Sequence, residues 1–404
     1  HLTPTGGNVS AISGDGETIW ITPSGLFKGE IREEMLVHIR PDGSVIAGTN
    51  KPSVEYQMHA AAYRARPGTT GAVHTHSPIA TAFGICNQTF PPINTDAVFL
   101  RDTVTVPWFM PGSTELAEAV GDPKVDLVDI CSPNMFHREG VVAALEAGKH
   151  CLCEKPLAVT PAEIEAMIAA RDRSGRLLMT AQHMRFEQRS QTLKRVIDAG
   201  RLGDVYYTRA WWLRRRFAPV TPGFLRKNQA GRGAGMDIGV HVLDLVMHFL
   251  GHPRPVSITG VTARHLAQRP DVANEWGAFQ ARDFEVEEFA AGFIRFETGA
   301  ALSLEVSWLL NMIEKEQYGV WLFGTEGGAQ WPDLKLACVQ DGLLVDAAVV
   351  SQTGADGHKN ELAACADAVL HGKPSPVPAE QSLTVARMLA ALYESAETGR
   401  EVRL

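Results

Sequence analysis

The chain has 404 residues, 45% of them hydrophobic and 21% charged, with a formal net charge of −8. That length suits two or three domains, and the acidic balance argues against a nucleic-acid surface; the dense basic run Arg214-Arg215-Arg216 has the size of a loop or an anion contact. No apolar run approaches about 18 residues, so no membrane partner is expected, and six scattered cysteines make no disulfide framework, which predicts a reducing, cytoplasmic setting.

The chain opens at His1 without methionine. It shows neither the basic head nor the apolar core of a signal peptide, and the opening reads as a fragment boundary. Turn-rich strands come first: GGNVSAIS, TIWITPSG, then a hairpin around Pro41-Asp42-Gly43. A helix is predicted from about Val54 to Ala65, capped by Ser53. Ala72–His76 reads as a strand whose two imidazoles, His74 and His76, share a face, a metal half-site or an incidental pair.

The surrounding residues are more specific. Gly7-Asn8 with Ser10, Thr22-Pro-Ser-Gly25, and Ser53-Val-Glu55 followed by His59, Tyr63 and Arg64 lead into His74-Thr-His76-Ser-Pro and the run VPWFMPGSTELAEAV. This series resembles the class II aldolase/adducin fold, a family of zinc-dependent sugar-phosphate lyases and some epimerases. The resemblance implies zinc ligands at His74 and His76, an acid/base role for Glu55, and a substrate phosphate held by Asn8, Thr22, Ser24 and Ser53. The family's third zinc histidine comes from a later segment, and the pattern stops at about Gly121 before supplying it. Catalytic zinc takes three protein ligands plus water, so an incomplete site that binds zinc weakly or not at all is expected.

From Val125 to Pro156 the pattern is strand, turn, helix, strand, turn. Val125–Ile130 is an apolar, β-branched run, as expected of a strand buried on both faces. Ser132-Pro133-Asn134 breaks it, a helix runs from His137 to Leu145, and Gly148 stops it. His150–Cys153 is a second strand whose two cysteines share a face as buried thiols. Glu154-Lys155-Pro156 then sits past the strand's carboxyl end, where open parallel sheets bind ligands. Thr160-Pro161-Ala-Glu163 opens a further helix to about Arg173.

The pattern SPN…H…AL.AGKH…CEKP resembles the second half of the nucleotide-binding domain of the Gfo/Idh/MocA oxidoreductases. In that family the EKP lysine lies between nicotinamide and substrate, and the asparagine of the turn lies against the cofactor. Carried over, Ser132, Asn134, His137, Glu154 and Lys155 form the contact set for NAD or NADP. The glycine turn that normally opens such a domain, GxGxxG, is absent; Gly231-x-Gly233-x-Gly235 has the wrong spacing and follows no strand. Dinucleotide binding is therefore expected to be weakened.

Beyond residue 186 come a helix over Gln188–Ala199, a strand over Val205–Leu213, and then GRGAGMDIGVHVLDLVMHFLG. Asp237, His241, Asp244 and His248 fall at i, i+4, i+7 and i+11, one polar stripe on a predicted helix, beside an apolar stripe through Ile238, Val242, Leu245 and Phe249. Read alone, the stripe is as easily a buried polar cluster. The same family resemblance implies that Asp237 and His241 work with Lys155, with Asp244 flanking. Histidine suits the hydroxyl proton, Asp237 one turn earlier suits orientation of the ring or a hold on a substrate hydroxyl, and Lys155 suits charge developing on oxygen. Gln182, Arg185, Trp212 and Arg215 are weaker candidates for sugar contacts. Alternating segments from about Val256 to Val345 predict a large, mostly antiparallel sheet, closed by an amphipathic helix and a last strand.

The expected fold is α/β in three parts: a partial class II aldolase-like domain over residues 1–120, the carboxy-terminal half of a Rossmann-type parallel sheet over 121–185, and an α+β substrate domain over 186–404. The function implied is NAD(P)-dependent oxidation of a sugar or polyol hydroxyl, with Lys155, Asp237 and His241 converging in one cleft. The rivals are a zinc-dependent sugar-phosphate lyase and an inactive fusion. A small sugar or polyol is the expected partner, together with a second copy of the chain on the carboxy-terminal sheet.

Overall fold

In a computed structural model of the chain, the structure describes residues 8–14, 16–23, 31–53, 56, 60, 63, 71–74, 125–350 and 356–404. The chain divides into two compact units, residues 1–104 and 105–404.

In the first unit, strands β1 (Asn8–Ile12), β2 (Ile19–Ile21), β3 (Val37–Ile39), β4 (Val45–Ala47) and β5 (Gly71–His74) form one sheet in the order β4-β3-β2-β1-β5. Every pairing in it is antiparallel. Ile19, Ile21, Val37 and Ile39 alternate with exposed or half-exposed neighbours and pack on Ala60 and Tyr63 from the helix predicted after Ser53.

In the second unit, β6 (Leu127–Ile130), β7 (His150–Cys153) and β8 (Leu178–Thr180) form a parallel sheet in that order. Helices α1 (His137–Glu146) and α2 (Pro161–Ser174) connect them. Thr160 and Glu163 close a reciprocal capping box on the first turn of α2, with Pro161 at its first position. Cys151 and Cys153 are fully buried and, like the other described cysteines, free.

Helix α3 (Gln188–Asp198) leads to a nine-stranded sheet. Its strands are β9 (Val205–Arg214), β10 (Pro255–Ala263), β11 (Phe289–Phe296), β12 (Ala301–Ser307), β13 (Glu316–Gly324), β14 (Gly327–Trp331), β15 (Lys335–Gln340), β16 (Leu343–Ala348) and β17 (Val402–Arg403). The order is β16-β15-β14-β13-β9-β12-β11-β10-β17, antiparallel throughout except for the parallel pair β9–β12. One face is packed: Leu302, Leu304 and Val306 of β12 point into a core shared with helix α4 (Val240–Leu250). Helices α5 (Gly357–His371) and α6 (Ala379–Thr398) complete the unit. Helix α6 lies against β10 where Gly260 leaves room; a Cβ there would sit 2.5 Å from the Leu392 carbonyl oxygen.

The segment Lys227–Leu250 is, among the described residues, the helical stretch long and apolar enough to cross a membrane, and 83% of its most apolar window is buried inside the protein, as in a core helix. It is not one uniform α-helix. Gly235–Gly239 forms a π-helical turn before α4 begins, which resets the phase of every side chain before it.

Candidate active site

Lys155 follows β7 at the carboxyl end of the parallel sheet, and Asp237 lies in the π turn. Their sequence positions are far apart, yet Lys155 Nζ donates to Asp237 Oδ1 at 2.9 Å and to the Asp237 carbonyl oxygen at 3.0 Å. Both side chains are largely but not fully covered, 16% and 14% exposed, so the pair borders solvent. The second carboxylate oxygen of Asp237 accepts from Trp308 Nε1 at 3.1 Å, and Trp308 is itself fully buried. Asp237 is thus fixed at both oxygens.

That corrects one expectation. Asp237 orients the lysine and not the histidine ring: both of its oxygens are taken, and His241 Nδ1 is buried without a hydrogen-bond partner. His241 instead meets His183, edge to face at 5.0 Å, and Trp212 at 6.1 Å between ring centroids. Burial holds the His241 imidazole well below its ordinary pKa, and the Lys155 charge adds to the effect, so the ring is neutral across the physiological range. His183, stacked on His358 at 4.0 Å, is lowered to about 4, first by burial and then by His358 and Lys155.

The rest of the stripe leaves the site. Asp244 makes a two-pronged ion pair with Arg185, Nε to Oδ2 and Nη2 to Oδ1 both at 2.6 Å, with side chains 3% and 2% exposed. Arg185 is therefore a buried clasp and no sugar contact. His248 turns away, its Nε2 buried without a partner. Arg215 caps a loop by donating to the Ile313 carbonyl. Gln182 is buried beside the site with Oε1 unpartnered.

The predicted cofactor set divides as well. Ser132 Oγ is buried and has no hydrogen-bond partner, an acceptor and donor still to be satisfied. Asn134 Nδ2 donates to the Ala230 carbonyl oxygen at 3.1 Å, tying the Ser-Pro-Asn turn to the loop before the π turn. Glu154 accepts from the Lys155 backbone N–H. His137 is fully buried, with Nδ1 2.9 Å from the Pro156 carbonyl oxygen and Nε2 2.7 Å from that of Ser132. It staples the two functional turns together and has no ring atom left for a cofactor, which corrects its place in the predicted set.

Sequence reasoning missed the group that shapes the glycine loop. Glu287 is buried; its Oε2 accepts from Gly233 N–H at 2.8 Å, and its Oε1 from Gly235 N–H at 3.1 Å and Tyr393 Oη at 2.8 Å. The fit requires glycine at 233, where a Cβ would lie 1.9 Å from the Glu287 carbonyl oxygen. Burial raises the Glu287 carboxyl, and these donors hold it down in part. The doublet Glu287-Glu288 inside an apolar run was the one available signal.

In the first unit the structure places the backbone of Asn8 opposite His74 across β1 and β5. It also joins Thr22 and Ser53, both buried, by a bond from Ser53 N–H to the Thr22 carbonyl oxygen. Ser24, Glu55 and His76 lie outside the described residues, as does the His74 side chain.

Comparison with known proteins finds two families along the chain. Residues 190–330 match the GFO/IDH/MocA C-terminal domain family, and residues 2–143 match the class II aldolase and adducin N-terminal domain family. D-glucoside 3-dehydrogenase of Escherichia coli (strain K12) is 34% identical over 282 residues, which is 70% of this chain and 80% of that protein. The chain belongs to the Gfo/Idh/MocA oxidoreductases. Among solved structures of that kind, an aldose-aldose oxidoreductase from Caulobacter crescentus complexed with glycerol superposes with a TM-score of 0.59 at 26% identity, covering 71% of this chain and 82% of that one. A levoglucosan dehydrogenase in complex with NADH and levoglucosan gives a TM-score of 0.61 at 25% identity, with the same coverage. Beside that relationship the chain carries the aldolase-like segment, and its sequence contains no GxGxxG turn.

Proposed function

We propose that the larger unit oxidises a hydroxyl of a sugar or polyol with NAD or NADP at the Lys155–Asp237–His241 cleft. One observation carries the reading: a lysine with N–H capacity to spare, whose charge acts on a buried, neutral histidine. Asp237 takes two of the three ammonium N–H bonds of Lys155, which leaves one to donate to a substrate oxygen as negative charge develops there. His241 is neutral, and its Nδ1 is sealed in the interior. Nε2 is then the nitrogen that takes the hydroxyl proton. Trp308 and the Glu287-held loop keep Asp237, and through it Lys155, in place.

Two features at the nicotinamide end suit a dinucleotide: Ser132 Oγ is buried and unsatisfied, and Lys155 keeps an N–H free at the end of the parallel sheet. Bound there, the cofactor would accept the hydride. At the pyrophosphate end the sequence offers no glycine turn. Affinity is accordingly at least about a hundredfold below that of an intact relative, roughly 3 kcal/mol. The relatives' names support the substrate class, since a D-glucoside dehydrogenase and a levoglucosan complex both act on or hold sugars.

The test is nicotinamide reduction over a panel of sugars and polyols at millimolar NAD and NADP. Lys155→Met should lower turnover by about a hundredfold or more. No sugar-dependent reduction at any cofactor concentration would refute the reading, and low-micromolar NADH binding would refute weakened affinity. The match of residues 2–143 favours, as a second reading, a zinc-dependent lyase site at Glu55, His74 and His76. We also infer that a second copy covers the open face of the large sheet. Tyr206 is 57% exposed there, in a groove of about 680 Å³ lined by Trp321, Phe323 and Leu336. A monomer in sedimentation at micromolar concentration would refute it.

A further inference from the structure

Outward from His241, Trp212 is followed by Arg214, whose guanidinium lies 5.0 Å from the Trp212 ring and 4.9 Å from the Trp276 ring. The three side chains form a continuous wall that starts 6.1 Å from the proposed base and ends on an indole that is 48% exposed. Such an arrangement on a surface loop is ordinarily loose. This one is built. Glu316 Oε1 accepts from both Trp212 Nε1 and Arg214 Nε at 2.7 Å, and the Arg214 side chain is only 12% exposed.

The loop that carries Trp276 is pinned as firmly. Asn274 exchanges two hydrogen bonds with the Ala218 backbone, both at 2.9 Å, and Glu275 N–H donates to the Arg216 carbonyl oxygen. Phe217 meets the indole edge to face at 5.6 Å. A large flat ring is thus held rigidly, with half its surface in water, where an apolar side chain gains nothing unless something covers it. No step in the proposed oxidation uses it.

We propose that Trp276, with Arg214 behind it, is a second subsite that takes the ring beyond the one being oxidised. The substrate class is then a glycoside or oligosaccharide, and not a free monosaccharide. The inference rests on the placement of the first ring at Lys155 and His241. A pyranose presents a face of C–H bonds that covers an indole, while its rim hydroxyls remain free to bond the guanidinium N–H groups and water. An aryl aglycone covers the same indole by stacking. A rigid aromatic platform costs little entropy to bind against.

The experiment is equilibrium binding, read by intrinsic fluorescence and calorimetry, of matched methyl and phenyl glycosides of several hexoses to the full chain and its variants. The phenyl glycoside of the preferred hexose should bind about tenfold more tightly than the methyl glycoside. Trp276→Ala should bring the phenyl glycoside down to the methyl glycoside's affinity, and Trp276→Phe should keep most of the advantage. Equal affinity of the two in the wild type, or equal weakening of both by Trp276→Ala, overturns the subsite. Lys155→Met separates the two claims. If it leaves both affinities untouched while Trp276→Ala still removes the phenyl advantage, the placement of the first ring fails and the subsite stands. Binding of none of the glycosides overturns both.

Discussion

Replacing Asp244 by asparagine tests whether this residue is a structural clasp or a member of the active site. Its carboxylate meets Arg185 through two bonds of 2.6 Å, with both side chains almost completely buried. Asp244→Asn keeps the shape and removes the charge. The guanidinium would then be buried without a counter-charge, with only amide oxygens, the one at position 244 and that of Gln381, as side-chain acceptors. Breaking one side of a buried pair costs about 3–5 kcal/mol, because the stranded charge keeps its desolvation penalty. For a unit of this size each kcal/mol moves the melting temperature by roughly 2–3 °C, so a drop of about 6–15 °C is expected. The assay is thermal unfolding followed by circular dichroism, with glycoside binding measured below the transition. A double variant, Arg185→Met with Asp244→Leu, should recover most of the loss, since well-packed apolar side chains of similar volume replace such pairs with little penalty. A melting temperature within about 2 °C of the wild type, with substrate affinity or turnover lost, would refute the clasp and return Asp244 to the catalytic group.

His183, His248 and His252 are lowered to about 4, 3 and 4, in each case first by burial, and His241 lies well below its ordinary value. The unfolded chain therefore binds protons near pH 6.5 that the folded chain refuses, and the melting temperature should fall as pH drops from about 6.5 toward 4; a flat profile there would contradict the burial of these rings. Glu361 runs the other way. Its carboxyl is pushed up to about 8, first by burial and then by Glu154, so folding loses stability as pH rises from about 4.5 to 8. Glu361→Gln should melt higher than the wild type at pH 8, with the gap closing at pH 5; no gap at either pH would count against it. Gly233→Ala, which drives a methyl group into the Glu287 backbone, should cost at least about 1–3 kcal/mol and weaken sugar binding with it, and unchanged melting would show that the loop has room. Zinc measured after exhaustive dialysis should be well below one per chain, and a stoichiometric amount would mean that a further ligand completes the pair at His74 and His76.

Much of the framework was legible in the chain because it is local. The capping box between Thr160 and Glu163 spans one helical turn. The βαβ unit from Leu127 to Cys153 shows in hydrophobic runs and in glycine stops, and the alternation of β12 shows in its own sequence. The position of Lys155 past a strand end follows from that order of elements. What the sequence could not carry is which distant groups meet. Lys155 and Asp237 are 82 positions apart, Asp237 and Trp308 are 71, and Gly233 and Glu287 are 54. No periodicity links such pairs. The π turn at Gly235–Gly239 was equally hidden, since the apolar spacing of the segment fits a regular helix as well. His137 entered the cofactor set through the family resemblance, and the fold made it a staple by bringing two carbonyl oxygens to its two nitrogens. The sequence set the elements and the kinds of chemistry they carry. Tertiary packing decided the partners, because a buried polar group takes whichever partner the fold brings within reach.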